Sequence, residues 1–124
     1  YPYCFADMPM TYPNPPAYIL INHGANDRGA SAEEYITGYR RLLDLIRRTH
    51  PQAKLIALSA FCGAFAKELG AMVAAYNREN STDVLFIDST GWVPPEPLHP
   101  LRDGHRTIAA NLTGILRREL SLSV

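Results

Sequence analysis

Three short apolar runs, each followed by a stretch with helical spacing, restrict this chain to a narrow set of folds. The runs are residues 18–22 (Tyr-Ile-Leu-Ile-Asn), 54–59 (Lys-Leu-Ile-Ala-Leu-Ser) and 84–87 (Val-Leu-Phe-Ile). Such short apolar runs between turn signals read as buried strands. Before the first helix, Ser31 and Glu34 make the capping-box pattern Ser-x-x-Glu, and Tyr35, Ile36, Tyr39, Leu42, Leu43 and Ile46 recur along one face. This helix ends near Thr49-His50, because Pro51 disfavours helical geometry in the residue before it. A second helical stretch follows Phe61-Cys62-Gly63 and runs to about Asn80. A third covers residues 103–120, with Ile108, Ala109, Leu112, Ile115 and Leu116 facing inward. Strand then helix, three times over, predicts an α/β fold with a mainly parallel sheet covered by helices. Right-handed crossovers then bring the loops after the strands, residues 22–30, 59–63 and 88–102, to one edge. In open α/β sheets that edge is where ligands bind.

Residues 1–17 have no period and contain Pro2, Pro9, Pro13, Pro15 and Pro16, which predicts an extended segment lying over something else. Residues 18–124 read as one α/β unit. The 12 basic and 12 acidic residues cancel, so there is no electrostatic reason to expect a nucleic acid or an anionic membrane as partner. The pairs Arg40-Arg41, Arg47-Arg48 and Arg117-Arg118 fall on helix faces or near helix ends, where solvation and the helix dipole account for them. No apolar run reaches the roughly eighteen residues of a membrane span. The first ten residues lack both an initiating Met and the layout of a signal peptide, and read as the interior of a longer sequence. Cys4 and Cys62 have no metal-type spacing; a structural thiol at Cys62 is a better reading than a disulfide or a nucleophile.

The polar chemistry collects in the edge loops. His99 is held in a Pro-flanked loop, and an imidazole can take a proton from a serine hydroxyl and return it to a leaving group. Glu96, three residues earlier, can reach the far ring nitrogen and orient it, or serve only as a solvated loop acid. Asn26 follows a strand and Gly24; the glycine allows a tight turn, and the amide can donate to an oxyanion. The same Asn26-Asp27 pair also suits a plain turn, with Asp27 accepting backbone N–H groups to hold the loop. Asp103 reads as the cap of the last helix. His99, Asp103 and His105 form the alternative of a metal-bound water, which ranks well below acyl transfer. No serine here suits a nucleophile: Ser31 is a cap, Ser59 ends a strand and Ser89 opens the long loop. No phosphate-cradling glycine loop is present, and no cofactor is expected.

Taken together, the chain resembles the carboxyl-terminal two-thirds of an SGNH hydrolase, the GDSL esterase/lipase family, over roughly residues 18 to 120. That family's Gly-x-Asn-Asp block matches Gly24-Ala25-Asn26-Asp27. Its Asp-x-x-His block matches Glu96-Pro97-Leu98-His99, followed by Pro100 and Gly104-His105. Asp88-Ser89-Thr90-Gly91-Trp92 resembles the preceding segment in carbohydrate-esterase-like members. The resemblance implies a three-layer α/β/α, flavodoxin-like fold, incomplete in this chain. It implies Asn26 as oxyanion donor, His99 as general base, and Glu96 in the place of the usual orienting Asp. It also implies a nucleophilic serine and an oxyanion glycine supplied by a missing amino-terminal portion, without which the chain is inactive. Gly24 and Trp92 would face the substrate, a small acyl ester such as an O-acetyl group on a carbohydrate, with Trp92 stacking on a sugar or simply anchoring its loop. The alternatives are a lipid or thioester acylhydrolase of the same family and a non-catalytic sugar-binding or scaffold relative.

Overall fold

The computed structural model describes residues 13–122. Three strands, β1 (Tyr18–Asn22), β2 (Lys54–Leu58) and β3 (Leu85–Ile87), alternate with helices α1 (Ala32–Thr49), α2 (Ala66–Asn80) and α3 (Arg102–Glu119). The sheet is wholly parallel in the order β1-β2-β3, with Leu20 opposite Ile56 and Leu58 opposite Ile87. Alternation along β2 divides the core in two. Leu55 and Ala57 join Ile21 and Val84 beneath α1 and α2, with Tyr35, Tyr39, Leu43, Leu69, Met72, Val73 and Tyr76. On the opposite face, Ile56, Leu58 and Ile87 meet Leu112, Ile115 and Leu116 of α3. Helices therefore cover both faces, giving the expected three-layer α/β/α arrangement. Both crossovers lie on one face, as they must when strands are added in one direction with connections of one hand.

The local signals explain the element ends. Ser31 caps α1 through the full capping box: its hydroxyl accepts the Glu34 N–H at 3.1 Å and the Glu34 carboxylate accepts the Ser31 N–H at 2.9 Å. The Ser31 N–H and, after it, the Ser31 hydroxyl, which also donates to this carboxylate at 2.9 Å, hold the Glu34 carboxyl below its ordinary range. Leu43 and Leu69 are fully buried, each worth about 1.5–3 kcal/mol of transfer free energy. β2 stops at Leu58 and β3 starts at Leu85, each one residue short of the expected run. At the start of β3 the Asn77 side chain brackets Val84, accepting its N–H at 2.9 Å and donating to its carbonyl at 3.0 Å. This bond ties the end of α2 to the third strand.

Two expectations about α3 are corrected. Leu101, not Asp103, is the N-cap; Asp103 lies inside the first turn and pairs with Arg106 at 3.3 Å and Arg102 at 3.5 Å. Ala109 is exposed rather than inward, while α3 turns Ile108, Leu112, Ile115 and Leu116, and Leu120 at its C-cap, inward. α3 does not reach the β1 side of its face. Tyr18 and Leu20 there remain 46% and 41% exposed. Cys4 lies outside the described residues, and Cys62 is a free, half-buried thiol. Among the described residues no helix is long and apolar enough to cross a membrane.

Candidate active site

The carboxyl ends of the three strands are stitched together by side chains. Asn22, at the end of β1, donates to the carbonyls of Ser59 at 2.8 Å and Leu58 at 3.3 Å. Ser59 and Ser89 are fully buried, with hydroxyls 3.0 Å apart. The Ser89 N–H donates to the Ser59 hydroxyl at 2.8 Å, and the Ser89 hydroxyl lies 2.9 Å from the Ser59 carbonyl. Beside them Asp88 accepts the Thr90 N–H at 2.9 Å, and the Thr90 donors, its side chain foremost, hold the Asp88 carboxyl below its ordinary range against the opposing effect of burial. A buried, fully bonded network of this kind rigidifies the edge from which the functional loops spring. It also shows what Ser59 and Ser89 do: both hydroxyls are structural.

The loop after β1 is built by two successive turns, Asp27 N–H to Gly24 carbonyl at 3.2 Å and Ala30 N–H to Asp27 carbonyl at 2.8 Å. Asp27 thus closes both turns with its backbone, its N–H donating to Gly24 and its carbonyl accepting from Ala30. Gly24 has φ +119°, and a Cβ there would meet the Tyr35 hydroxyl at 3.1 Å. That hydroxyl donates to the His23 carbonyl at 3.1 Å, and the Tyr35 ring stacks on Phe65 with centroids 4.4 Å apart. Burial first, and then the charge of Asp27, raise the Tyr35 hydroxyl to about 12, so it remains a donor at any physiological pH. Gly24→Ala is expected to destabilise the protein by about 1–3 kcal/mol through this backbone conformation and the contact with Tyr35. A urea melt within experimental error of the parent would contradict that assignment.

One cavity of about 590 Å³ gathers most of the expected residues. Gly24, Asn26 and Asp27 line it from the β1 loop, His99 from the long loop after β3, and His105 from the start of α3. Asn26 and His99 are exposed, while Gly24 is buried beneath Tyr35. Two expectations do not hold in this geometry. Glu96 does not orient His99: its exposed carboxylate pairs with Arg28, 3.4 Å away, tying the long loop to the β1 loop. Trp92 does not line this cavity; its half-buried ring packs on the Ile56, Leu58 and Ile87 cluster and anchors the loop. The aromatic wall is Phe61, from the turn after β2, a residue whose place at the edge was readable from its position but which carried no chemical signal of its own. Asp103 is engaged by arginines, and among the described residues no three His, Cys, Asp or Glu side chains group as metal ligands.

Acyl transfer needs a base and an oxyanion donor converging on one space, and His99 and Asn26 border the same cavity. No protein-family model matches the chain. It is 26% identical over 123 residues to the cellulase/esterase CelE of Acetivibrio thermocellus, an alignment covering 85% of this chain and 14% of CelE. In fold it is similar to a family two carbohydrate esterase from Clostridium thermocellum, solved in complex with cellohexaose. That superposition has a TM-score of 0.68 and 23% identity, covering 86% of this chain and 37% of the other. The chain therefore spans a minor part of each relative, and over that part it has a carbohydrate esterase's fold and a distant sequence similarity to an esterase.

Proposed function

We propose that residues 18–124 form the carboxyl-terminal part of an SGNH-type serine esterase domain that removes O-acetyl groups from carbohydrate. The observation that carries this reading is the shared cavity of about 590 Å³ lined by Asn26 and His99. In the reaction, a serine Oγ from outside these 124 residues attacks the acetyl carbonyl carbon while His99 takes the serine proton. The oxyanion forms within reach of the Asn26 amide. Collapse of the tetrahedral species expels the sugar oxygen, which receives the proton from the imidazolium, and leaves an acetyl-serine. Water, deprotonated by His99, then attacks the acetyl-serine; acetate leaves and the serine recovers its proton.

Several features support the arrangement. Ser31, Ser59 and Ser89 are each committed to caps or buried bonds, and among the described residues no serine lines the cavity, which supports a nucleophile from another part of the polypeptide. Tyr18 and Leu20 provide an apolar flank against which that part can pack. The similarity to CelE and the cellohexaose bound by the structural relative favour a carbohydrate over a lipid or thioester. Glu96 enters this scheme as a tie between loops through Arg28, not as the partner of the His99 ring.

The test uses the polypeptide that carries these residues together with its upstream sequence. A fluorophosphonate adduct on a serine outside residues 1–124, with acetate released from acetylated xylan, is the expected result. An adduct confined to residues 1–124, or no acetate release from a folded sample, overturns the reading.

A further inference from the structure

We propose that the Arg28–Glu96 ion pair sets the position of the His99 imidazole relative to the Asn26 amide. This rests on the esterase reading, in which those two groups are base and oxyanion donor, and names what holds them in register. The long loop is pinned at its base. Val93 is buried, and it closes with Pro100 on Gly104, where an added Cβ would meet Pro100 at 3.0 Å and Val93 at 3.6 Å. Between these two pins, residues 94–97 and His99 are exposed. Among the described residues, the pair with Arg28 is the one hydrogen bond or ion pair that residues 94–99 make. His99 therefore stands in a span with a single polar tether.

Both ends of the tether are joined to the reacting groups by stiff chain. Arg28 follows Asn26 by two residues and lies in the second of two turns closed by backbone bonds. Glu96 precedes His99 by three residues. Pro97 between them has a fixed φ, and Pro100 restricts the backbone of His99 itself. A shift at Glu96 is thus passed to His99 with few soft dihedrals to absorb it. Neither Arg28 nor Glu96 lines the cavity, so both are positioning residues, and Glu96 acts on His99 through the chain rather than through the ring. Their side chains are 49% and 71% exposed, which limits the attraction. A pair of that exposure favours the tethered arrangement about two- to fivefold, and the rate can gain no more than that from it.

The test compares Arg28→Gln, Glu96→Gln, the two together, and the charge swap Arg28→Glu with Glu96→Arg, in the polypeptide bearing the nucleophile and with an uncharged acetylated xylo-oligosaccharide. Each single variant is expected to lower kcat about two- to fivefold with KM near its parental value. The double variant should fall no further than either single one, and the swap should recover most of the rate. Raising NaCl to about 1 M should slow the parent over the same range and leave the Gln variants unchanged. A fall at Glu96→Gln without one at Arg28→Gln would make Glu96 a direct partner of the imidazole. A change in KM alone at Arg28→Gln would make Arg28 a substrate contact, and parental kcat in both single variants would leave the pair without a role; each overturns the proposal. Relaxation of the Leu98 and His99 backbone amides separates the two readings. Loosening of both amides in each single variant, reversed by the swap, in a folded protein without hydrolysis supports the tether while rejecting the esterase. Hydrolysis with kcat indifferent to the pair does the reverse.

Discussion

His99→Ala, made in the polypeptide that supplies the nucleophile, is expected to lower kcat/KM for acetate release by about a hundred- to ten-thousand-fold. The imidazole is assigned both proton transfers of each half-reaction, so its removal should slow both. His99 is exposed and lies outside the core clusters, so the variant should fold as the parent does, within about 0.5 kcal/mol. The change empties a space at the wall of an open cavity. Added imidazole should therefore restore part of the rate, a recovery that a purely structural histidine would not show. Retention of parental kcat/KM by His99→Ala would remove the base from the mechanism.

Asn26→Ala is expected to act differently, lowering kcat by about a hundred- to a thousand-fold while KM stays near its parental value. The amide is assigned to the oxyanion, which exists in the tetrahedral species and not in the bound ester. A donor aimed at that oxygen lowers the barrier without tightening the ground state. The loop should survive the change, because its turns are closed by the backbones of Gly24, Asp27 and Ala30 and not by the Asn26 side chain. Steady-state kinetics on acetylated xylo-oligosaccharide and on ethyl acetate would show the effect on both esters. A raised KM with kcat intact would make Asn26 a substrate contact alone.

The positions of Asn26 and His99 follow from features that a sequence displays. Three apolar runs at the spacing of parallel crossovers place their following loops on one edge, and both residues lie in those loops. The side on which α1 meets the sheet was equally legible. Tyr35, Tyr39 and Leu43 are buried at helical spacing, and Ser31 with Glu34 opens the helix as the capping pattern implies. α3 was legible in length but less so in depth. Only Ile108 is fully buried, so a small residue such as Ala109 gave no sign of which way it faced.

Side-chain partners across long separations were not legible. Glu96 stands three residues from His99, the distance at which an orienting carboxylate belongs, yet it pairs with Arg28, 68 residues away. Trp92 and Phe61 are both aromatic residues of edge loops and both pack on the Ile56, Leu58 and Ile87 cluster, but the path of the chain brings only Phe61 to the cavity wall as well. The Ser59–Ser89 pair likewise joins two strand ends that only the sheet brings together. By itself the sequence determined the alternation of strands and helices, the helix faces and the edge that bears the chemistry, because periodicity and capping act within a few residues. The tertiary structure alone decided which side chain meets which, since those contacts depend on how loops of irregular backbone cross one another in space.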